Sequence, residues 1–173
     1  MIVKVKQKQT GSRDCVVCGM ENPFGCHAQF YSMEDDTCVA LFKYNAMNQS
    51  YPHRTHGGMI AAMLDETIGR AIWCTEPETW GVTMKLEVEY HKPCPYDEDL
   101  ICVGRIIKST RMTFEGTAEL YDKQGNLLDK GHATYFKLPL EKAVQGDSSL
   151  TADDVNVLYP DDVTEIDVPT RNR

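Results

Sequence analysis

The chain has 173 residues, of which 42% are apolar and 25% charged, the make-up of one ordinary globular domain with room for a sizeable core. A formal net charge of −8, with acidic residues gathered towards the C-terminus, argues against nucleic acid or an anionic membrane as partner. The first residues, MIVKVKQKQT, lack the apolar stretch of a signal peptide, and the longest apolar run, near Met59–Leu64, is too short to span a bilayer. Seven cysteines, an odd number, then fit reduced thiols in a cytoplasmic protein.

Residues 1–14 read as a short strand or arm, and CVVCGMENPFG (15–25) as a loop rich in turn formers. Extended pieces are expected at 27–33 and 37–44, then a polar loop over 45–55. One long helix is expected over 57–74, because Met59, Ile60, Met63, Leu64, Ile68, Ala71 and Ile72 recur at helical spacing. Apart from Asp65, Glu66, Thr67 and Arg70 its remaining positions are small or apolar, so protein should surround it on most sides. Four strands follow, at 81–90, 100–108, 112–121 and 127–137. In the first of them Val82, Met84, Leu86, Val88 and Tyr90 alternate with polar residues, and KSTR (108–111) and DKQGN (122–126) read as hairpin turns. These elements predict an α+β fold, with an antiparallel sheet of five or six strands wrapped around one central helix. Residues 1–140 would form the domain, with the arm and Cys-x-x-Cys loop as its first 26. Residues 141–173 would form an acidic extension holding one short helix near 152–158.

The stretch His56-Gly-Gly-Met-Ile-Ala-Ala-Met-Leu-Asp-Glu carries the chemistry. Gly57 and Gly58 open the helix, where unpaired N–H groups and the positive end of the helix dipole suit an anion or a developing oxyanion; a tight turn into the helix explains the two glycines equally well. Asp65 has Ala61, Ala62, Ile68 and Gly69 three and four positions away, which gives a carboxylate in a roomy apolar setting. That marks a candidate base or nucleophile, unless backbone donors satisfy it. Glu66 has an ordinary explanation in Arg70, four residues on. Gly57 and Asp65 lie about 12 Å apart along the helix, too far to act on one carbonyl, so a site that uses both needs at least a homodimer.

HGGMIAAMLDE resembles the helix signature of the PaaI-like hotdog thioesterases, in which an acidic residue stands nine positions after the His of His-Gly-Gly, as Asp65 does after His56. CVVCGMENPFG, GVTMKLEVEYHKPCP and LYDKQGNLL extend the resemblance over roughly residues 12–138. The resemblance implies a hotdog fold and a cofactor-free acyl-CoA thioesterase acting at the interface of a homodimer, often within a tetramer. Asp65 would be its base or nucleophile and a Gly57 or Gly58 amide its oxyanion hole. Thr83 would orient the attacking water, and Gln49 takes the place of a thioester-side amide, where many relatives have Asn six or Gln seven positions before the His. His56 would be an acid/base in the alternative reading, a hotdog dehydratase or hydratase; a non-catalytic acyl-CoA-binding protein is the other alternative. Lys108 and Arg111 are the nearest cations for the CoA phosphates, and Met59, with Met63 and Trp73, is a candidate acyl contact. No metal site is expected: Cys15 and Cys18 lack a second well-spaced ligand pair, and adjacent Cys26 and His27 seldom chelate one ion.

Overall fold

Alternation along the central strands dictates the layering. In β3 (Cys38–Phe42) Cys38, Ala40 and Phe42 face one way and Val39 and Leu41 the other. In β5 (Leu100–Ser109) Leu100 and Cys102 oppose Ile101 and Val103, and both sets are buried. Strands covered on both faces read as continuous apolar runs, as these do. In the computed structural model, which describes residues 1–139, 142 and 154–169, the first face carries the helix α1 (Gly57–Ala71) and the second the C-terminal segment. The remaining strands are β1 (Ile2–Lys8), β2 (Gln29–Met33), β4 (Thr79–Tyr90), β6 (Thr113–Asp122), β7 (Leu127–Pro139) and β8 (Glu165–Asp167). Every pairing is antiparallel, in the order β4-β7-β6-β5-β3-β2-β1-β8.

The helix lies close to the sheet because small residues line up beneath it. Gly104 on β5, Ala118 on β6 and Gly131 on β7 stand in register. A Cβ on Gly104 would come within 2.6 Å of the Thr67 carbonyl oxygen, so any side chain there would push α1 away. Met63, Leu64 and Ile68 fill the core above this row with no exposure. After Ala71 the chain tightens into a 3-10 turn over Ile72–Cys74, which makes the helical span that of the sequence reading.

The sheet has eight strands where five or six are expected from the sequence. The excess lies at one edge, where β1 is the short strand read over 1–14 as an alternative to an arm and β8 is new; β1 carries lysines along its exposed side and β8 has only three residues, so neither has a strong strand signature. Part of the acidic extension is therefore sheet and core, with Ile166 and Val168 buried against Val39 and Val103. The short helix expected near 152–158 is corrected over its described part. Val157 exchanges backbone hydrogen bonds with Gly11 (2.7 and 2.8 Å), and the Asp154 carbonyl accepts from the Arg13 N–H, so the sheet-like pairing along the N-terminal loop replaces helical bonds. Residues 152–153 lie outside the described residues.

β4 is the opposite edge. It pairs with β7 on one side and with no strand among the described residues on the other; a register shift between Thr83 and Lys85 turns Leu86 and Val88 onto the core and leaves Val82 and Met84 outward, 49% and 62% exposed.

Asp129 on β7 is fully buried. Its Oδ1 accepts from the His91 N–H at 3.3 Å, and Oδ2 has no partner among the described residues. Burial pushes the carboxyl up to about 6, against the pull of the His91 bond. Because the folded-state value is raised, protonation favours the fold: the contribution is complete below about pH 4 and is lost as pH rises through about 6. Asp129→Asn is therefore expected to gain on the order of 1–2 kcal/mol at pH 7.5 and to flatten the pH dependence between those limits. Thermal melts across pH 4–8 check this, and an unchanged slope contradicts it.

Candidate active site

Asp65 sits on the turn of α1 that faces β4 and β7, and strand register supplies its donors. Thr83 on β4 stands directly opposite Tyr135 on β7. The Thr83 hydroxyl donates to both Asp65 oxygens (3.0 and 3.2 Å), and the Tyr135 hydroxyl to Oδ1 (2.8 Å) and to the Asp65 carbonyl (2.7 Å). Tyr135 is stacked on Phe114 at 4.6 Å between ring centres and is 2% exposed, so its hydroxyl is held in place. Burial raises the Asp65 carboxyl above its usual range, the two hydroxyl donors pull it back, and neighbouring Glu66 adds to the rise. Burial and the adjacent carboxylate push the Tyr135 phenol up, so it stays protonated and serves as a donor.

These groups line a cavity of about 180 Å³ together with Glu66, Arg70, Trp73 and Trp80. Gly69, one turn after Asp65, lines it beside the Tyr135 ring. Larger depressions, of about 450 and 820 Å³, include no residue of α1. The Glu66–Arg70 ion pair expected from spacing is present at 2.8 Å.

At the start of α1, His56 is the N-cap: its Nδ1 accepts the Gly58 N–H at 2.9 Å, and its carbonyl accepts from Met59 and Ile60. Of the first four amides the Gly57 N–H alone donates to no acceptor among the described residues. Tyr90 closes over this point, its hydroxyl donating to the Gly57 carbonyl at 2.8 Å. Gly58 is thus engaged by its own cap, and the Nδ1 of His56 is engaged with it.

The other residues singled out from the sequence lie apart from the cavity. Gln49 is exposed and accepts from the Tyr96 hydroxyl at 3.3 Å. Met59 packs on the core, its carbonyl taking the Tyr44 hydroxyl. Lys108 and Arg111 are exposed at the β5–β6 turn, and Arg111 borders a depression with Lys137, itself paired with Glu76. Tyr135 and Tyr90 escaped the sequence reading. The available signal was Tyr135's inward position in the alternation of β7, where a buried hydroxyl requires an acceptor. One group of possible metal ligands occurs among the described residues: Cys15, Cys18 and Glu66, with ligand atoms within 4.8 Å of one another.

Comparison with known proteins agrees with this architecture. Residues 53–128 match the model of the thioesterase superfamily. The chain is 31% identical over 140 residues to acyl-coenzyme A thioesterase THEM4 of Rattus norvegicus, covering 79% of this chain and 59% of that protein. It is 28% identical over 80 residues to acyl-coenzyme A thioesterase 13 of Homo sapiens, covering 46% and 57%. The chain thus spans less than two thirds of these relatives. Among solved structures, zebra fish thioesterase superfamily member 2 superposes with a TM-score of 0.60 at 23% identity, over 68% of this chain and 86% of that one. A Streptococcus pneumoniae thioesterase protein solved with coenzyme A gives 0.59 at 21%, over 65% and 86%. The Escherichia coli PaaI protein gives 0.59 at 13%, over 65% and 80%. At these identities the structural likeness establishes the fold. The chain thus has the hotdog fold of the thioesterase superfamily, whose model its residues 53–128 match. Among the described residues no helix is long and apolar enough to cross a membrane.

Proposed function

We propose that the chain is an acyl-CoA thioesterase that hydrolyses its substrate to a carboxylic acid and free CoA, with no cofactor. The observation that carries this reading is the Asp65 carboxylate, held by Thr83 and Tyr135 at the wall of a cavity. A carboxylate held in this way supports the role of nucleophile or general base in acyl transfer. The names of the relatives and the coenzyme A in one structural neighbour support the substrate class.

The reaction follows from the chain's own groups. The thioester carbonyl oxygen accepts the Gly57 N–H, whose dipole-oriented donor strengthens as charge develops on that oxygen. Asp65 either takes a proton from water, which adds to the carbonyl, or adds to it directly. Either way the tetrahedral adduct collapses, the C–S bond breaks and CoA leaves as a thiolate that takes up a proton; in the second route water then opens the resulting anhydride. In both routes the Thr83 and Tyr135 hydroxyls fix the carboxylate's orientation. Because Asp65 and Gly57 of one helix are about 12 Å apart, the reading pairs Asp65 of one subunit with Gly57 of another. The unpaired edge of β4, with its outward Val82 and Met84, is the surface through which a homodimer would form, and pairing of dimers into a tetramer belongs to the same reading. Seven free cysteines suit a cytoplasmic location.

The test is thiol release from a panel of acyl-CoAs differing in chain length and polarity. Release from at least one member is expected, and binding without release across the panel sinks the hydrolase reading. In the pH profile the acid limb should lie above the usual carboxylate range, since activity needs ionised Asp65 and burial raises it. Tyr135→Phe keeps the ring stack but removes one donor, so the limb should move to still higher pH and kcat fall about 10-fold. An acid limb that stays in place contradicts the role given to Tyr135.

A further inference from the structure

The Cys-x-x-Cys loop is unused by the reaction above, yet it is built in detail. Cys15 is half-buried and Cys18 is 3% exposed, on a turn closed by the Gly19 N–H donating to the Cys15 carbonyl at 2.9 Å. A Cβ on Gly19 would stand 2.5 Å from the backbone of Arg13 and Cys15, so this turn requires glycine. Two backbone donors point at one sulfur, Val17 N–H and Cys18 N–H at 3.3 and 3.4 Å from Cys15 Sγ. The second sulfur receives the Ser12 N–H at 3.4 Å and Arg70 Nη2 at 3.0 Å.

From this geometry we infer that Cys15 and Cys18 form a reactive dithiol, a modification site that low-molecular-weight disulfides oxidise to an intramolecular disulfide. The Cys15 thiolate attacks one sulfur of the small disulfide and expels the other as a thiolate, leaving a mixed disulfide on Cys15. Cys18 gives up its proton, its sulfur attacks Cys15 Sγ, and the second small thiol leaves. Two protein thiols and one small disulfide thus become one protein disulfide and two small thiols. The roles are unequal by construction. The Cys18 thiol and the two amides hold Cys15 down at about 7, whereas its bond to Cys15 and burial push Cys18 up. Arg70 offsets part of that burial.

A metal ion competes for the same atoms, since Glu66 is the third group of the cluster. Arg70 argues against it. Its guanidinium lies 3.0 Å from Cys18 Sγ and 2.8 Å from Glu66, which puts a fixed positive charge against two of the three ligands. The same guanidinium donates to the Thr10 carbonyl and lies over the Trp73 ring at 4.8 Å, so the state of Cys18 reaches the wall of the Asp65 cavity through one side chain.

The experiment treats the full chain, as purified, with glutathione disulfide at pH 7, quenches with acid, alkylates and maps each cysteine by mass spectrometry. Zinc content is measured before treatment. The expected first product is a Cys15–Cys18 disulfide with two glutathiones released per chain. Cys18→Ser should stop at a stable glutathione adduct on Cys15, and Cys15→Ser should leave residue 18 unmodified. Oxidation should also change Trp73 emission, as Arg70 loses its bond to Cys18. Alkylation of Cys15 at pH 7 should exceed that of an ordinary cysteine roughly 3-fold, a gain of about 16-fold in thiolate set against about 5-fold lower intrinsic nucleophilicity. Cys38 and Cys74, a buried pair, serve as the internal control. First reaction at any other cysteine, equal reactivity of Cys18 in Cys15→Ser, or stoichiometric zinc protecting Cys15 overturns the inference.

Discussion

Asp65→Asn is expected to lower kcat for acyl-CoA hydrolysis by about 10²–10⁴, the range lost when a positioned base or nucleophile is removed. The substitution tests chemistry more than folding. Asparagine retains an oxygen to accept from the Thr83 and Tyr135 hydroxyls, and it removes a charge that burial disfavours. The melting temperature should therefore stay level or rise while thiol release disappears. Binding of the CoA product should change little, because no CoA-recognition role falls to Asp65. If release persists within 10-fold of the parent, the carboxylate is a structural group.

Gly57→Pro is expected to cost about 10²–10³ in kcat, the usual loss of one oxyanion donor, with little change in KM. Proline suits this position. Gly57 is the first helical residue, where a missing N–H breaks no helical hydrogen bond, and His56 already has the extended backbone (φ −65°, ψ 134°) favoured before proline. A Cβ there meets the Tyr90 ring at 3.4 Å, an ordinary contact. The variant thus deletes a single donor from a helix that still forms. Full activity in Gly57→Pro excludes this amide from the reaction, whereas Gly57→Ala, which keeps the N–H, should remain active.

Much of this was legible in the residues. Helical spacing from Met59 to Ile72 and the hairpin turns at 108–111 and 122–126 led to the right helix and to β5, β6 and β7. Asp65 stood out because a carboxylate among Ala61, Ala62 and Gly69 lacks an ordinary partner within its own helix. Its real partners come from strand register: Thr83 and Tyr135 are 52 residues apart and meet only when β4 pairs with β7. Local sequence does not encode that meeting, which is why Tyr135 was missed although Thr83 was reached through resemblance. At the other edge β1 was legible only as a short strand or arm, and β8 not at all, for a different reason. β1 is lysine-rich and β8 is three residues long, as suits strands that must resist further pairing, so their patterns are weak. The residues around Val157 looked helical in composition, but long-range pairing with Gly11 outweighs that weak preference.

β4 shows the converse case. Its period of two is clean in the sequence, but a register shift between Thr83 and Lys85 breaks it in the structure, so Leu86 and Val88 pack on the core while Val82 and Met84 face outward. Their exposure is accounted for if a second subunit covers that face, the same condition that the helix length sets for the site.

Mixing the two impaired variants tests the shared site most directly. Asp65→Asn and Gly57→Pro chains, each nearly inactive alone, are combined, unfolded and refolded together, and thiol release is measured. In a mixed dimer one of the two sites unites an intact Asp65 with an intact Gly57, so random pairing should restore about a quarter of the parent activity. If every mixture stays as inactive as its components, although mass spectrometry shows the mixed dimer, each chain works with its own residues and the shared-site account is wrong.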